Sequence, residues 1–117
     1  MSRIVGDAGE VAASIALEGA GYKIVERNYY ARVGEIDIIA YDKGMLCFIE
    51  VKKRAYNSFG GGEAAISKSK LSKILKATKR YLYEKRLTDC DYRLDAVIIT
   101  GDGVPQIIKN IYTDGLS

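Results

Sequence analysis

The stretch GEIDIIAYDKGMLCFIEVKKR, residues Gly34 to Arg54, decides the fold because it joins two apolar segments through a turn sequence. EIDIIAY (Glu35 to Tyr41) and LCFIEVKKR (Leu46 to Arg54) have the composition of strands, and DKGM between them predicts a hairpin turn. Three charged side chains interrupt these segments: Asp37, Glu50 and Lys52. Burial of an unpaired charge is costly. We therefore expect these residues either to satisfy one another or to hold a charged ligand.

The register of this hairpin predicts which side chains meet. If the turn is centred on Lys43 and Gly44, Asp37 lies directly opposite Glu50 on the neighbouring strand. Opposed side chains have Cβ atoms about 5 Å apart. Lys52 points to the same face as Glu50, because side chains two residues apart on a strand share a face. The sequence thus predicts two carboxylates and an ammonium group within one small patch.

Two adjacent carboxylates repel each other, and a divalent cation would remove that conflict. Mg²⁺ prefers oxygen ligands, and one or two carboxylates with water and a substrate phosphate satisfy it. Asp37 and Glu50 are the expected ligands of Mg²⁺ or Mn²⁺, with the Val51 carbonyl as a candidate third. Lys52 is expected to orient or deprotonate a water molecule, or to stabilise charge on a phosphate. Alternatively, Lys52 pairs with Glu35 in a structural ladder of charges.

The remaining sequence predicts two helices and three further strands. An alanine-rich segment from about Gly6 to Ala20 predicts the first helix. Its expected apolar face consists of Val11, Ile15 and Leu17. Ser67 can cap a second, longer helix that runs to about Arg86. The further strands are predicted at Tyr22 to Tyr30, Tyr92 to Thr100 and Gln106 to Tyr112.

The resulting element order, α-β-β-β-α-β-β, predicts an α/β fold with a mixed five-stranded sheet. The second helix is long enough to act as a crossover, which would make the third and fourth strands parallel. A chain of 117 residues is expected to form one domain, residues 1–117, around a single sheet.

Composition excludes several classes of site. The chain contains no histidine, which rules out serine and cysteine triads that need one and histidine-based zinc motifs. Cys47 and Cys90 are far apart in the sequence and are expected to be free thiols. No apolar run is long enough to cross a bilayer, so we expect no membrane partner and a cytoplasmic location.

The second helix is strongly basic, and this favours nucleic acid as a partner. Between positions 68 and 86 it carries eight lysines and arginines but only one acid, Glu84. Such residues can also form an ordinary solvated face. Neutralising phosphates releases counterions, which gives binding that does not depend on sequence. The expected phosphate contacts are Arg54, Lys70, Lys68 and Arg27.

The spacing of Asp37, Glu50 and Lys52 resembles the PD-(D/E)XK nuclease superfamily, which has the restriction-endonuclease-like fold. The chain from Gly6 to about Ile99, including GDAGEVAASIALEGAGYKIVERNYY, IEVKKR and YRLDAVII, resembles the YraN-like bacterial family, which is similar to archaeal Holliday-junction resolvases. The resemblance implies a catalytic set of Glu10, Asp37, Glu50 and Lys52. The superfamily's proline before the aspartate is replaced here by Ile36.

These observations predict a metal-dependent endonuclease that hydrolyses DNA phosphodiester bonds, with branched or structured DNA as the expected substrate. The resemblance implies attack by water in line with the leaving group, leaving 5′-phosphate and 3′-hydroxyl ends, and it suggests a homodimer. Two alternatives stay open from the sequence. One is a nucleic-acid-binding module without catalysis, and the other is a subunit of a DNA repair or uptake assembly.

Overall fold

The computed structural model describes residues 8–53, 66–101 and 103–111. These residues form two helices and five strands in the predicted order. The elements are α1 (Ala8–Gly19), β1 (Tyr22–Ala31), β2 (Gly34–Asp42), β3 (Met45–Lys53), α2 (Lys68–Glu84), β4 (Tyr92–Ile99) and β5 (Pro105–Ile108). No helix in these three ranges is long and apolar enough to cross a membrane.

The five strands form one mixed sheet in the order β1-β2-β3-β4-β5. β3 and β4 are parallel, and the other neighbouring pairs are antiparallel. The α/β class, the element order and the crossover through α2 are therefore confirmed, and they agree with the restriction-endonuclease-like fold. That residues 1–117 form one domain stays a prediction.

The last strand is shorter than the sequence predicted. β5 ends at Ile108, whereas the predicted strand continued to Tyr112, which lies outside the described residues. Asn110 has a left-handed backbone (φ 60°), so the chain turns out of the strand at this point. The backbone amide of Asn110 donates to Asp95 Oδ1 at 2.9 Å, and that of Ile111 donates to the Leu94 carbonyl at 2.7 Å.

The hairpin of β2 and β3 has the predicted turn and register. Lys43 and Gly44 both have positive φ values, 53° and 90°, as a two-residue turn of type I′ requires. Ile39 pairs with Phe48, and Ile38 pairs with Ile49. Asp37 and Glu50 occupy the next position along the hairpin, beyond the pair of Ile38 and Ile49.

Each face of the sheet is covered by one helix. On the α2 face, Phe48 and Leu94 pack with Ile74 and Tyr81 of the helix. On the α1 face, a smaller cluster contains Ala13, Leu17, Ile38, Cys47, Ile49 and Val97. Of the apolar face predicted for α1, Leu17 is buried, but Val11 and Ile15 are exposed. The small residues Gly9, Ala13 and Ser14 face the sheet instead, because they allow α1 to approach it closely.

Helix α2 begins at the predicted cap and lies close against β2. The Ser67 side chain accepts a hydrogen bond from the Lys70 amide at 3.1 Å. At the start of β2, a Cβ atom on Gly34 would lie 2.9 Å from the backbone carbonyl oxygen of Lys73. The absence of a side chain at Gly34 thus fixes how closely the helix approaches the hairpin.

A network of charged and polar side chains lies at the end of the sheet that carries the β2–β3 turn. Arg93 donates to Asp42 Oδ2 at 2.6 Å and to Asp95 Oδ1 at 2.8 Å. The Tyr22 hydroxyl donates to Asp95 Oδ2 at 2.8 Å, and Lys109 donates to Asp42. Asp95 is fully buried, so these bonds offset the cost of removing its charge from water. Hydrogen bonds from Arg93 and Lys109 lower the pKa of Asp42.

Replacing Gly34 by alanine is expected to destabilise the protein by about 1–3 kcal/mol, because α2 or β2 must move to admit the new methyl group. Urea denaturation measures this change. Gly19→Ala is the matched control, since nothing lies within 4 Å of a Cβ at Gly19. Equal stability of the two variants would contradict the close approach.

Replacing Arg93 by methionine is expected to cost about 3–5 kcal/mol, because it leaves two buried carboxylates without their shared base. Arg80→Met is the control, because Arg80 forms an exposed pair with Glu84, and exposed pairs contribute little to stability. Chemical denaturation of both variants gives the comparison. A loss of stability in Arg93→Met no larger than that in Arg80→Met would show that the network adds little stability.

Candidate functional site

Asp37 lies on β2 directly beyond the last pair of the β2–β3 ladder, Ile38 with Ile49. Its carboxylate oxygen Oδ2 accepts a hydrogen bond from the backbone amide of Val51, and the distance between Oδ2 and Val51 N is 2.8 Å. The side chain of Asp37 thus binds a backbone amide of β3 at the point where β2 and β3 stop pairing through their backbones. This bond fixes the carboxylate against the neighbouring strand.

The alternation of side chains between the two faces of the sheet is interrupted around Asp37. Ile36 packs on the α2 side and Ile38 on the α1 side, although residues two apart on a regular strand share a face. On β1, Arg27 pairs with Ile38 and Tyr29 pairs with Ile36, so Asn28 lies opposite Asp37. Asn28 has a left-handed backbone (φ 54°). The interruption of the alternation therefore involves both β1 and β2, and it turns the side chain of Asp37 towards β3.

Glu50 lies on β3, the middle strand of the sheet, next to Ala96 of β4. Only 9% of its side chain is exposed. Its carboxyl group lies within interaction distance of that of Asp37, and Lys70 of α2 lies 3.7 Å from Glu50 Oε2. The predicted contact of the two carboxyl groups is therefore present, on the face of the sheet that α2 covers.

The environment of the two carboxyl groups disfavours two negative charges at once. Burial, followed by the negative charge of Asp37, raises the pKa of Glu50 to about 7. Burial also raises the pKa of Asp37, although the hydrogen bond from the Val51 amide opposes this. The pair is a site where negative charge is concentrated and only partly compensated by Lys70.

Lys52 lies two residues beyond Glu50 and its side chain is exposed. It does not form the alternative ladder, because no ion pair joins Lys52 to Glu35 within the described residues. Its ammonium group is therefore accessible to a ligand that approaches from solvent. Its catalytic role stays a prediction.

Glu10 lies in the first turn of α1 and is partly buried. Across residues 8–53, 66–101 and 103–111, no three histidine, cysteine or acidic residues form a group that could hold a metal. The structure therefore brings Asp37 together with Glu50 but does not add Glu10 to them as a third ligand. The assignments of Glu10 as catalytic and of the Val51 carbonyl as a ligand stay predictions.

The four expected phosphate contacts are placed differently. Lys68 and Lys70 are exposed in the first turn of α2, on the side of the sheet that carries Glu50. Arg27 is on the opposite face, where its Nε donates to Ser14 Oγ of α1 at 3.2 Å. Arg54 lies outside the described residues. Lys70 thus lies beside the carboxyl pair, Lys68 lies in the same helical turn, and Arg27 does not join them.

Two residues of this site were not recognised from the sequence in their present roles. Lys70 was expected to contact phosphate, but it also pairs with Glu50. Asn28 was not singled out, although it is one of the few residues other than glycine that tolerate a left-handed backbone. An asparagine within an otherwise regular strand sequence was the available signal for the change of face.

Replacing Glu50 by glutamine is expected to stabilise the metal-free protein at about pH 8 by about 1–3 kcal/mol. The folded state holds a proton on Glu50 up to about pH 7, against 4.5 in the unfolded chain, so stability falls as pH rises between these values. Chemical denaturation in chelator between about pH 4.5 and pH 8 measures the free energy of unfolding of both proteins. Glu18→Gln is the control, because Glu18 is exposed. A variant that loses stability with pH as wild type does would contradict the assignment.

Comparison with known proteins places the chain in a family. Residues 9–99 match the model of "Uncharacterised protein family UPF0102", consistent with the resemblance to the YraN-like family. A UPF0102 protein of Neisseria gonorrhoeae is 45% identical over 106 residues, 91% of this chain and 92% of its own length. One of Desulfosudis oleivorans is 42% identical over 113 residues, 96% and 92% of the two chains. One of Sulfurihydrogenibium is 41% identical over 88 residues, 75% and 76%. The chain belongs to the UPF0102 family.

Proposed function

We propose that this protein is a metal-dependent endonuclease that hydrolyses phosphodiester bonds of DNA, with branched or structured DNA as its substrate. The observation that carries the proposal is the contact between the partly buried carboxyl group of Asp37 and the buried one of Glu50, beside the basic first turn of α2. Burying two acids together is unfavourable without a cation. The presence of this contact in the fold therefore supports a role for it in cation binding.

The donor set fits Mg²⁺ or Mn²⁺. Both groups supply oxygen ligands, and two carboxylates are the number with which proteins commonly hold Mg²⁺. Burial, followed by the negative charge of Asp37, raises the pKa of Glu50, and a divalent cation would neutralise the charge of the pair. Lys70 does not fill this role permanently, because nearly half of its side chain is exposed and its amine lies 3.7 Å from the carboxylate.

Each residue of the site has a distinct task in the proposed reaction. Asp37 is held by the Val51 amide and Glu50 by β3, so the two ligands need little rearrangement. When bound, the cation supplies neutralisation of phosphate charge and a lowered pKa of water. Lys52, exposed two residues beyond Glu50, would donate to a phosphate oxygen as charge develops. Lys68, exposed in the first turn of α2, would hold the flanking phosphate backbone.

A second candidate function is a nucleic-acid-binding module without catalysis. The observation in its favour is the Lys70–Glu50 ion pair, since a protein cation already compensates part of the negative charge. In that case the carboxyl pair is a structural feature, and the basic helix alone binds DNA. This reading requires no metal for affinity.

Cleavage assays discriminate between the two functions. Wild type is incubated with labelled junction, flap and linear duplex DNA in Mg²⁺, in Mn²⁺ and in chelator. The proposal expects metal-dependent cleavage of branched DNA, and a loss of roughly a hundredfold or more in Asp37→Asn plus Glu50→Gln. These substitutions preserve side-chain size, so folding is expected to survive.

The matched control is Asp89→Asn plus Asp91→Asn, which removes the same charge from exposed positions between α2 and β4. It is expected to cleave as wild type does. Cleavage that persists in the Asp37 and Glu50 variant, or that needs no metal, would overturn the nuclease proposal. Salt-dependent binding with no cleavage of any substrate would favour the second function.

A further inference from the structure

A groove lies between α2 and the turn that connects β1 to β2, away from the carboxyl pair. Its volume is about 490 Å³. Its lining comes from two segments: Tyr30, Ala31, Arg32 and Val33 on the turn side, and Lys76, Lys79, Arg80 and Glu84 on the helix side. None of these residues was assigned to the carboxyl site.

An exposed tyrosine and an exposed valine are among the residues that line the groove. Tyr30 is 76% exposed and Val33 is 47% exposed. Tyr29, its neighbour on the strand, is by contrast buried and packs edge-on against Tyr81 at a centroid distance of 5.1 Å. Tyr29 therefore serves the core, whereas the ring of Tyr30 is available to a ligand.

The charge of the groove lining favours the binding of an anionic ligand. Glu84 is its one acidic lining residue, and its carboxylate already accepts from the Tyr29 hydroxyl at 2.7 Å and from Arg80 at 2.9 Å. In the part of the chain that the structure describes, no carboxylate pairs with the three other cations of the lining. These are Arg32, Lys76 and Lys79. The lining is thus net positive.

We propose that this groove binds an unpaired nucleotide of single-stranded DNA. The base stacks on Tyr30, and Lys76 and Lys79 contact the adjoining phosphates. An aromatic side chain between uncompensated cations is the combination by which proteins hold single strands without reading their sequence. This inference rests on the proposed function and narrows it to substrates that carry unpaired nucleotides beside the cleaved bond.

The groove lies within reach of the carboxyl pair along the chain. Val33 precedes Asp37 by four residues of the same hairpin, a span of at most about 13 Å between Cα atoms. One strand of duplex DNA advances about 3.4 Å per nucleotide, so the separation corresponds to roughly four nucleotides. A flap or the single strand of a branch point would place its unpaired end in the groove while its duplex lies near Asp37 and Glu50.

Fluorescence anisotropy with labelled oligothymidine and with a duplex of equal length, both in chelator, tests the groove without requiring catalysis. Tyr30→Ala is expected to weaken binding of the single strand by about fivefold or more, and to leave duplex binding within about twofold. Tyr30→Trp is expected to retain affinity because it keeps a stacking surface. Tyr83→Ala is the matched control, since Tyr83 is 72% exposed on α2 but lies outside the groove.

Lys76→Gln plus Lys79→Gln is expected to weaken the single strand more than Lys23→Gln plus Lys43→Gln, which removes two exposed lysines elsewhere. If wild type does not bind the single strand, or if Tyr30→Ala binds it as Tyr83→Ala does, the groove is not a nucleotide site. A selective loss in Tyr30→Ala upholds the groove even if no substrate is cleaved. Cleavage that needs Glu50 but not Tyr30 upholds the nuclease alone.

Discussion

The contact between Asp37 and Glu50 depends on the register of one hairpin. The left-handed turn at Lys43 and Gly44 fixes that register, and the apolar residues of β2 and β3 maintain it because a slip of one position would expose them. Beyond Ile38 and Ile49 the strands stop pairing through their backbones, and the Asp37 carboxylate binds the Val51 amide instead. The same local geometry therefore ends the ladder and creates the site.

The surrounding structure supports this site from two sides. Helix α2 begins at its Ser67 cap, passes close to Gly34, and places Lys70 beside Glu50. At the other end of the sheet, Arg93 joins Asp42 and Asp95 in a network that compensates its own charges. The two acidic clusters differ in this respect. The cluster around Arg93 has its partners within the fold, whereas Lys70 is the one base that pairs with Glu50 in the described residues.

The sequence predicted most of the fold because the relevant forces are local. Alternating apolar residues, a turn at Lys43 and Gly44, and a cap at Ser67 each leave a pattern that is readable over a few positions. The exposure of Val11 and Ile15 was missed, because tight packing of small residues, rather than apolar spacing, decides which face of α1 meets the sheet. The end of β5 was missed because Asn110 and Asp95 interact across distant segments.

The site was predictable only in part for similar reasons. Strand register sufficed to place Asp37 beside Glu50, since both lie on one hairpin. The pairing of Glu50 with Lys70 and the groove at Tyr30 join the hairpin to a helix that follows much later in the chain, and no local pattern reports such contacts. Arg27 faces α1 rather than α2 because the strand alternation is interrupted at Asn28.

Calorimetric titration of the metal-free protein with Mn²⁺ at about pH 8 measures whether the carboxyl pair binds a cation. We expect saturable binding by wild type and by Glu18→Gln, and loss of that binding in both Glu50→Gln and Asp37→Asn. Absence of binding by folded wild type, or equal binding by the Glu50→Gln variant, would contradict this expectation.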